Sequence, residues 1–340
     1  MRWSSSFHVG RRAVGRGEPV YVIAEAGVAH FGDPDKAMRL VDLAADAGAD
    51  AVKFQMFSTK AMICSASAEW RERMAPKELP PEVFADIRAY CAERGIVFLC
   101  TAHDEPSLEA LAVLDPPAYK IGSGELRNWK FIEAVAALGK PVFWSTGMYN
   151  AEEVAKGLEC FAKAGNPDVA VLHCVTSYPT PPEQVNLRAV PWLAREFGVV
   201  AGYSDHTVGE HFPLAAAALG AKVLEKHISL DFNVPNAQDW KVSLDGQGLK
   251  GMIERLREIE SGLGIGDKRP ARSEEASVDW ARKSLVTRVA VPAGTTLRRE
   301  HLVCKRPGYG IPPDQEDLVV GRVASRDIPE DTLIRLEMFS

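Results

Sequence analysis

Lysines, histidines and carboxylates stand inside or at the ends of short apolar runs in this sequence. Lys53 and Gln55 are two residues apart in one run, and Glu225 and His227 are two apart in another. If these runs are β-strands, each pair points to one side of its strand. Charged residues in apolar strands are costly unless they are paired or bind a ligand. The pattern therefore indicates a polar site built from strand ends.

The same kinds of residue recur after most of the other apolar runs. They are Glu25, Thr101, Lys120, Ser123, Glu125, Ser145, Thr146, Tyr178, Ser204, Asp205 and His206. Two lysines and several hydroxyls beside the turns GSG (122–124) and STG (145–147) suit a small anion with phosphate and carboxylate groups. Two histidines with nearby carboxylates suit a divalent metal ion that keeps open positions. A lone histidine on a strand is more often a core residue, but convergence at seven of eight strand ends favours a site.

Eight apolar runs alternate with amphipathic helical segments along the first three quarters of the chain. The runs cover residues 21–27, 51–57, 96–102, 118–124, 141–147, 169–175, 199–205 and 223–229. Such alternation is typical of parallel β-structure built from βα units, and eight units predict a TIM (β/α)8 barrel. An open doubly wound sheet would normally show a GxGxxG turn after its first strand, and none is present. We therefore expect an α/β fold with the reactive residues at the C-terminal ends of the strands.

The composition and pattern of the sequence change after the predicted barrel. Residues 1–265 form the predicted catalytic barrel, with an N-terminal hairpin at 5–20, and residues 266–282 are charged and read as a linker. Residues 283–340 alternate short β-like runs with Pro/Gly turns, and 289–302 resembles 325–338. We expect a small β-rich domain there, too small to bury a large core by itself.

Composition narrows the class of protein. The 340 residues include 40 basic and 46 acidic side chains, a formal net charge of −6. This balance argues against nucleic acid as a partner, and no apolar stretch approaches the ~20 residues that span a bilayer. The six cysteines show no CxxC and no metal-ligand spacing. A cytoplasmic enzyme with no membrane partner is the expectation.

Eight motifs, in order, carry a resemblance to a known family. They are IAEAGV, DAVKFQ, YKIGSGEL, STGM, LHCVTSYP, GYSDHT, EKHISLD and KRPGYGI. Together they strongly resemble the sialic acid synthase (N-acetylneuraminate synthase) family, which condenses phosphoenolpyruvate with an aldose, typically N-acetylmannosamine. The resemblance implies a TIM barrel followed by a small antifreeze-like (SAF) domain.

The resemblance also implies roles for individual residues. Phosphoenolpyruvate is bound by the residues matching Lys53, Gln55, Thr101, Lys120, Ser123, Ser145 and Ser204. The sugar is surrounded by those matching Glu25, Gln55, Tyr178, Glu225, Asp239 and Arg306. The metal ion, usually Mn²⁺ with Mg²⁺ or Co²⁺ as alternatives, is held by His206 and His227. Glu125, Glu25 and Lys120 are the candidate catalytic residues, with Glu125 the proton-transfer residue.

The implied reaction begins with attack of phosphoenolpyruvate C3 on the open-chain aldehyde, which the metal ion polarises. Water adds at C2, and phosphate leaves by C–O cleavage to give a 3-deoxy-2-keto sugar acid. The resemblance further implies a domain-swapped homodimer in which Arg306 of each SAF domain reaches the partner subunit's active site.

Four residues depart from the family pattern, and three alternatives stay open. Ala29 and Phe31 replace amides, Thr176 replaces an asparagine, and Trp240 stands at a histidine position. All lie on the implied sugar side, so the acceptor is expected to differ from N-acetylmannosamine. One alternative is a KDO-8-phosphate or DAHP synthase-like reaction on a phosphorylated sugar. Such a reaction would need a second basic cluster for the distal phosphate, and the sequence offers only Arg306 and loop residues such as Arg71 and Arg73 for it. The others are a metal-dependent aldolase-type barrel and a non-catalytic sugar-binding protein.

Overall fold

Eight parallel strands close into the barrel that the sequence predicts. The closed order is β10-β3-β4-β5-β6-β7-β8-β9, with β10 paired to both β9 and β3. The strands are β3 (Tyr21–Gly27), β4 (Ala51–Met56), β5 (Val97–Ala102), β6 (Tyr119–Ile121), β7 (Val142–Ser145), β8 (Val169–Cys174), β9 (Val200–Asp205) and β10 (Val223–His227). The TIM-barrel prediction is confirmed.

The computed structural model describes residues 1–235 and 237–340. These divide into two compact units, Met1–Gly264 and Ile265–Ser340. In the described part of the chain, no helix is long and apolar enough to cross a membrane.

Helices follow the strands, and several begin or end at residues that cap helices. They are α1 (Pro34–Asp46), α2 (Thr59–Met62), α3 (Ala68–Met74), α4 (Pro81–Glu93), α5 (Glu105–Leu114), α6 (Trp129–Ala137), α7 (Ala151–Ala164), α8 (Ala189–Phe197), α9 (His211–Ala218) and α10 (Gly246–Gly262). Helix α1 begins where the Asp33 side chain accepts hydrogen bonds from the amides of Asp35 and Lys36. Helix α7 begins with a capping box between Asn150 and Glu153 and ends at a left-handed glycine.

An N-terminal hairpin fills the end of the barrel opposite the strand C-termini. Its antiparallel strands are β1 (Ser6–Val9) and β2 (Arg12–Gly15). Phe7 packs in one buried cluster with inward-facing residues from the first halves of the strands, such as Tyr21 and Phe143. Apolar side chains thus fill the N-terminal end of the barrel, and a site can form only at the C-terminal end.

The second unit is small and β-rich. Strands β11 (Ser284–Thr287) and β12 (Leu302–Lys305) pair antiparallel, and a short helix α11 (Ser277–Ala281) precedes them. The two similar sequence segments meet where Val291 and Ile328 exchange backbone hydrogen bonds. Their equivalent positions therefore pair with each other, and the unit has its own small core around Leu285, Leu297 and Ile334.

Candidate active site

The C-terminal ends of the strands surround a cavity of about 660 Å³. Each of the eight strands places a side chain in its lining: Glu25, Lys53, Thr101, Lys120, Ser145, Cys174, Ser204 and Glu225. The volume falls in the range of roughly 300–1,000 Å³ typical of small-molecule sites. The barrel thus brings the strand-end residues together at one place.

Four charged side chains form the floor of this cavity. Lys53 Nζ lies 2.7 Å from Glu25 Oε2 and 3.8 Å from Glu225 Oε2. Lys120 Nζ lies 3.7 Å from Glu225 Oε1. All four side chains are at least 94% buried. We call Glu25, Lys53, Lys120 and Glu225 the charged floor.

The two carboxylates of the charged floor differ in their tendency to ionise. Burial raises the pKa of Glu25, although its ion pair with Lys53 opposes the rise. Burial also acts on Glu225, but Lys120 and Lys53 outweigh it and hold its pKa at about 2. The floor therefore holds one firmly ionised carboxylate between two lysines and a second that protonates more readily.

Hydroxyl groups surround the charged floor. Lys120 Nζ donates to Ser145 Oγ at 2.7 Å, and Lys53 Nζ donates to Thr101 Oγ1 at 3.2 Å. Ser204 Oγ donates to Glu225 Oε1 at 3.0 Å. Two buried ammonium groups and three hydroxyls within one pocket can bind the oxygens of a small dianion or trianion.

Ser123 lies against the turn that follows β7. Its Oγ accepts a hydrogen bond from the backbone N–H of Gly147 at 2.9 Å. A Cβ on Gly147 would approach Thr176 Oγ1 to 2.3 Å and Ser123 Oγ to 2.9 Å, so only glycine allows this contact. Gln55 contacts the floor at Glu25, where its Nε2 donates to Glu25 Oε1 at 2.9 Å.

His206 and His227 face each other in the cavity, with ring centroids 5.3 Å apart. His206 Nδ1 lies 2.7 Å from the Val175 carbonyl, to which it must donate. Burial raises the pKa of Tyr178, so its hydroxyl stays protonated, and its oxygen lies 2.8 Å from His206 Nε2. Burial lowers the pKa of His227 to about 3, so this ring is neutral. Burial also acts on His206, but Cys174 and the Val175 carbonyl outweigh it and raise the pKa of that ring.

An imidazole nitrogen that carries no proton can bind a divalent cation through its lone pair. In His206 the carbonyl contact of Nδ1 leaves Nε2 as the ligand atom, with the Tyr178 hydroxyl as its present partner. Among residues 1–235 and 237–340, no group of three His, Cys, Asp or Glu side chains is arranged to hold a metal ion. An ion held between His206 and His227 would therefore have these two imidazoles as its ligands from the described residues, and its other positions would be left to water or substrate oxygens.

Glu125 lies at the side of the cavity, in a short 3-10 helix (Ser123–Glu125) after β6. Its carboxylate accepts a hydrogen bond from Asn128 Nδ2 at 2.7 Å. Burial raises its pKa, the bond from Asn128 lowers it, and Asp104 raises it further. A carboxyl group with a raised pKa is suited to proton transfer near neutral pH.

Asp205 and Thr146, which the sequence groups with the strand-end site, do not line the cavity, so that part of the prediction is wrong. The other predicted residues lie in two different places. Tyr178 and Asp239 line the cavity, as do the four departures Ala29, Phe31, Thr176 and Trp240. Arg306 belongs to the second unit, where its guanidinium lies over the ring of Trp280 at 5.6 Å and its Nε donates to the Ala281 carbonyl at 3.1 Å.

Sequence reasoning missed part of the lining. The long connection after β4 supplies Met62, Trp70, Met74 and Lys77, and β8 supplies Cys174. The alternation of β8 could have identified Cys174, because it is two residues beyond the inward-facing Leu172. The connection carried no such signal, since its helices are short and largely exposed.

Family models match most of the chain. The NeuB family model matches residues 40–268, and the SAF domain model matches residues 282–340. An N,N′-diacetyllegionaminic acid synthase of Campylobacter jejuni is 38% identical over 329 residues, which cover 92% of this chain and 98% of the relative. An N-acetylneuraminate-9-phosphate synthase of Homo sapiens is 33% identical over 341 residues, covering 96% and 94%.

A solved structure shows the same fold. The crystal structure of an N-acetylneuraminic acid (sialic acid) synthetase from Leptospira borgpetersenii serovar Hardjo-bovis, in complex with citrate, superposes with a TM-score of 0.76. It is 32% identical, and the match covers 82% of this chain and 96% of that one.

Proposed function

The chain belongs to the NeuB family and is an enzyme that forms a C–C bond with phosphoenolpyruvate, and we propose that its second substrate is an open-chain aldose. The products are a 3-deoxy-2-keto sugar acid of the nonulosonic type and inorganic phosphate. Carbon 3 of phosphoenolpyruvate bonds to the aldehyde carbon, water supplies the oxygen at carbon 2, and the C2–O bond to phosphate breaks. Atoms balance as phosphoenolpyruvate plus aldose plus water giving sugar acid plus phosphate.

The charged floor is the observation that supports this proposal most directly. Lys53 and Lys120 are buried beside Thr101, Ser145 and Ser204. Phosphoenolpyruvate has a carboxylate and a phosphate attached to the same carbon, so two ammonium groups flanked by hydroxyls match its charge and size. A binding protein for a neutral sugar would have no use for two buried lysines.

Glu125 is the residue we assign to proton transfer. Ionised Glu125 takes a proton from the water that adds at carbon 2, and the Asn128 amide holds the carboxylate in place. Lys120 stabilises the negative charge on the phosphate as the C2–O bond breaks, since its ammonium group is fixed by Ser145. Glu25 is held by Lys53 and Gln55 at the side where the sugar is expected.

We also propose a divalent metal ion, Mn²⁺ in the first instance, held by His206 and His227. When bound there, such an ion supplies Lewis-acid polarisation of the aldehyde oxygen. The test is direct metal binding: the His206→Ala variant is expected to bind Mn²⁺ more weakly than the native chain in electron paramagnetic resonance titrations. Equal Mn²⁺ affinity of the two proteins would place the ion elsewhere.

The acceptor sugar is proposed to differ from N-acetylmannosamine. Ala29, Phe31, Thr176 and Trp240, which depart from the family pattern, all line the cavity. An alanine and a phenylalanine in place of amides remove hydrogen-bonding groups and leave apolar contacts, so a different set of sugar substituents is favoured.

A homodimer in which Arg306 enters the partner subunit's active site remains part of the proposal. The SAF match at residues 282–340 and the exposure of Arg306 support it. Mixing Arg306→Ala chains with Lys120→Met chains tests it: mixed dimers are expected to regain activity at one site, which neither variant shows alone. No gain on mixing would contradict the exchange.

One assay tests the reaction itself. The chain is incubated with phosphoenolpyruvate, Mn²⁺ and a panel of aldoses, and phosphate release is followed together with mass spectrometry of the product. Phosphoenolpyruvate labelled with ¹⁸O at the bridging position is expected to release phosphate that carries the label, because the C–O bond breaks. Unlabelled phosphate, or no sugar acid with any aldose, would overturn the proposed function.

A further inference from the structure

Two cations of the described residues line the active-site cavity without forming a salt bridge. Arg73 and Lys77 both contribute to the lining, from the connection that follows β4. Within residues 1–235 and 237–340, neither side chain forms an ion pair or a hydrogen bond. By contrast, both lysines of the charged floor are paired with carboxylates. Unpaired cations in a concave site are candidates for binding an anionic group.

The environment of Lys77 supports this interpretation. The side chain is half-buried, and burial together with the nearby charge of Arg73 lowers its pKa, against the opposing effect of Asp239. Its ammonium group lies 5.8 Å from the centre of the Phe31 ring, which also has Lys36 at 5.7 Å. An aromatic face attracts a cation more weakly than a carboxylate does. An arriving anion would relieve the repulsion between Arg73 and Lys77.

Other cations near this site have structural partners. Arg71, two residues before Arg73, donates to the carbonyls of Ile63 and Lys60 and so ties the connection together. Lys36 pairs with Asp231 at 2.6 Å. Arg73 and Lys77 are thus presented on a connection that other residues hold in place.

Burial gives the two cations a position along the cavity. Lys53 and Lys120 on the floor are 2% and 4% exposed, whereas Lys77 is half-buried and Arg73 exposed. Phosphoenolpyruvate occupies the floor in the proposed function, and the acceptor's aldehyde must reach its carbon 3. The other end of the acceptor therefore points toward the mouth, where Arg73 and Lys77 lie.

We propose that the acceptor aldose has an anionic group, a phosphate or a carboxylate, at the end remote from its aldehyde, and that Arg73 and Lys77 bind it. This inference rests on the proposed function, because it takes phosphoenolpyruvate as the occupant of the floor. Arg71 has a different role from Arg73 and Lys77, because its guanidinium donates to backbone carbonyls of the same connection.

The test compares acceptors that differ only in charge. N-acetylhexosamines are assayed beside their 6-phosphates and their 6-carboxylates, with kcat/KM measured for each. The native chain is expected to favour one charged form by about tenfold or more over the neutral sugar, the effect of a charge-assisted contact at a partly exposed site. Preference for the phosphate or for the carboxylate identifies which anion is recognised.

Variants then assign the preference to the two residues. Lys77→Met and Arg73→Met are each expected to reduce the ratio of charged to neutral kcat/KM by about tenfold, through KM for the acceptor. Lys77→Arg should preserve most of the ratio. Lys60→Met is the matched control, since Lys60 is an exposed lysine on the same connection and does not line the cavity.

Two results would overturn the inference and leave the proposed function standing. One is equal kcat/KM for neutral and charged acceptors. The other is a rise in KM for phosphoenolpyruvate in Lys77→Met with an unchanged acceptor ratio, because the cations would then attract phosphoenolpyruvate on entry. If no aldose of any charge supports phosphate release, the proposed function fails and this inference falls with it.

Discussion

Replacing Glu125 by Gln removes the proposed proton acceptor and keeps the shape of the side chain. The carboxylate oxygen that accepts from Asn128 Nδ2 at 2.7 Å becomes an amide oxygen that can accept the same bond. Glu125 is not part of the charged floor, so the lysines keep their ion pairs. We therefore expect folding and phosphoenolpyruvate affinity to stay close to native.

Turnover should fall by about 10²–10⁴-fold, the usual contribution of a positioned acid–base group. At 1.36 kcal/mol for each factor of ten, this equals roughly 3–5 kcal/mol of activation free energy. Single-turnover phosphate release at saturating substrate measures the chemical step, and calorimetry measures phosphoenolpyruvate affinity. Native turnover in Glu125→Gln would remove the residue from proton transfer, and a loss of affinity equal to the loss of rate would make it a binding residue.

The pH dependence gives a second test of the same assignment. The Asn128 hydrogen bond lowers the pKa of Glu125, so Asn128→Ala should raise that pKa. If ionised Glu125 is the active form, activity is lost as pH falls through its pKa, and the acidic limb of kcat should move to higher pH in Asn128→Ala. A limb that stays in place, or moves to lower pH, would refute the reasoning.

Three further substitutions test the buried charges. Lys120→Met should weaken phosphoenolpyruvate binding by about 10- to 100-fold in calorimetry, because a charged contact in a dry site is lost; native affinity would contradict its role. Glu225→Gln should destabilise the fold, because Lys120 loses its carboxylate partner. Phosphoenolpyruvate should then raise Tm more in this variant than in the native chain, and an equal or smaller rise would contradict the reasoning. Lys226→Met should cost about 3–5 kcal/mol in urea unfolding, because the buried Asp205 carboxylate loses its only cationic partner among the described residues. Adding Asp205→Asn should recover most of this loss, and no recovery would show that the pair is not the cause.

The barrel could be predicted from the sequence because its signals are local. Each strand is a short apolar run, and the following helix begins at residues such as Asp33 or Asn150 that cap it. The inward direction of Lys53 and Glu225 follows from two-residue spacing along a strand. Eight repeats of one pattern leave few folds that could accommodate them.

The connection after β4 could not be predicted in the same way. Its contribution to the cavity depends on a backbone path fixed by Arg71 to the Ile63 carbonyl and by Glu78 to the Thr59 amide, at 2.7 Å each. These are side-chain bonds across eight and 19 residues with no periodic pattern in the sequence. For this reason the different environments of Arg71 and Arg73 emerged only from the structure.

The pair Asp205–Lys226 was also out of reach of the sequence alone. Lys226 Nζ lies 2.5 Å from Asp205 Oδ2, and both side chains are fully buried. They face away from the cavity, since their neighbours on the strands, Ser204 and Glu225, face into it. Lys226 also donates to the Thr207 carbonyl, and Asp205 accepts from the Thr207 amide, so the pair fixes the turn that presents His206.

The charged floor explains how a barrel can fold with two lysines in its interior before any substrate binds. A buried ammonium group costs several kcal/mol unless a carboxylate is close, and Glu25 and Glu225 provide that charge for Lys53 and Lys120. Burial lowers the pKa of both lysines and the two carboxylates raise it: for Lys53 the carboxylates prevail, whereas for Lys120 the pKa stays below its ordinary value. The carboxylates that the resemblance places around the sugar therefore favour the charged form of the lysines that are proposed to bind phosphoenolpyruvate. An incoming trianion has to compete with them, and Glu25, whose pKa burial raises, is the one that can give way by taking up a proton. Under the proposed function, the two halves of the site share a single set of ion pairs, so we expect Glu25→Gln, on the sugar side, to change the affinity for phosphoenolpyruvate as well.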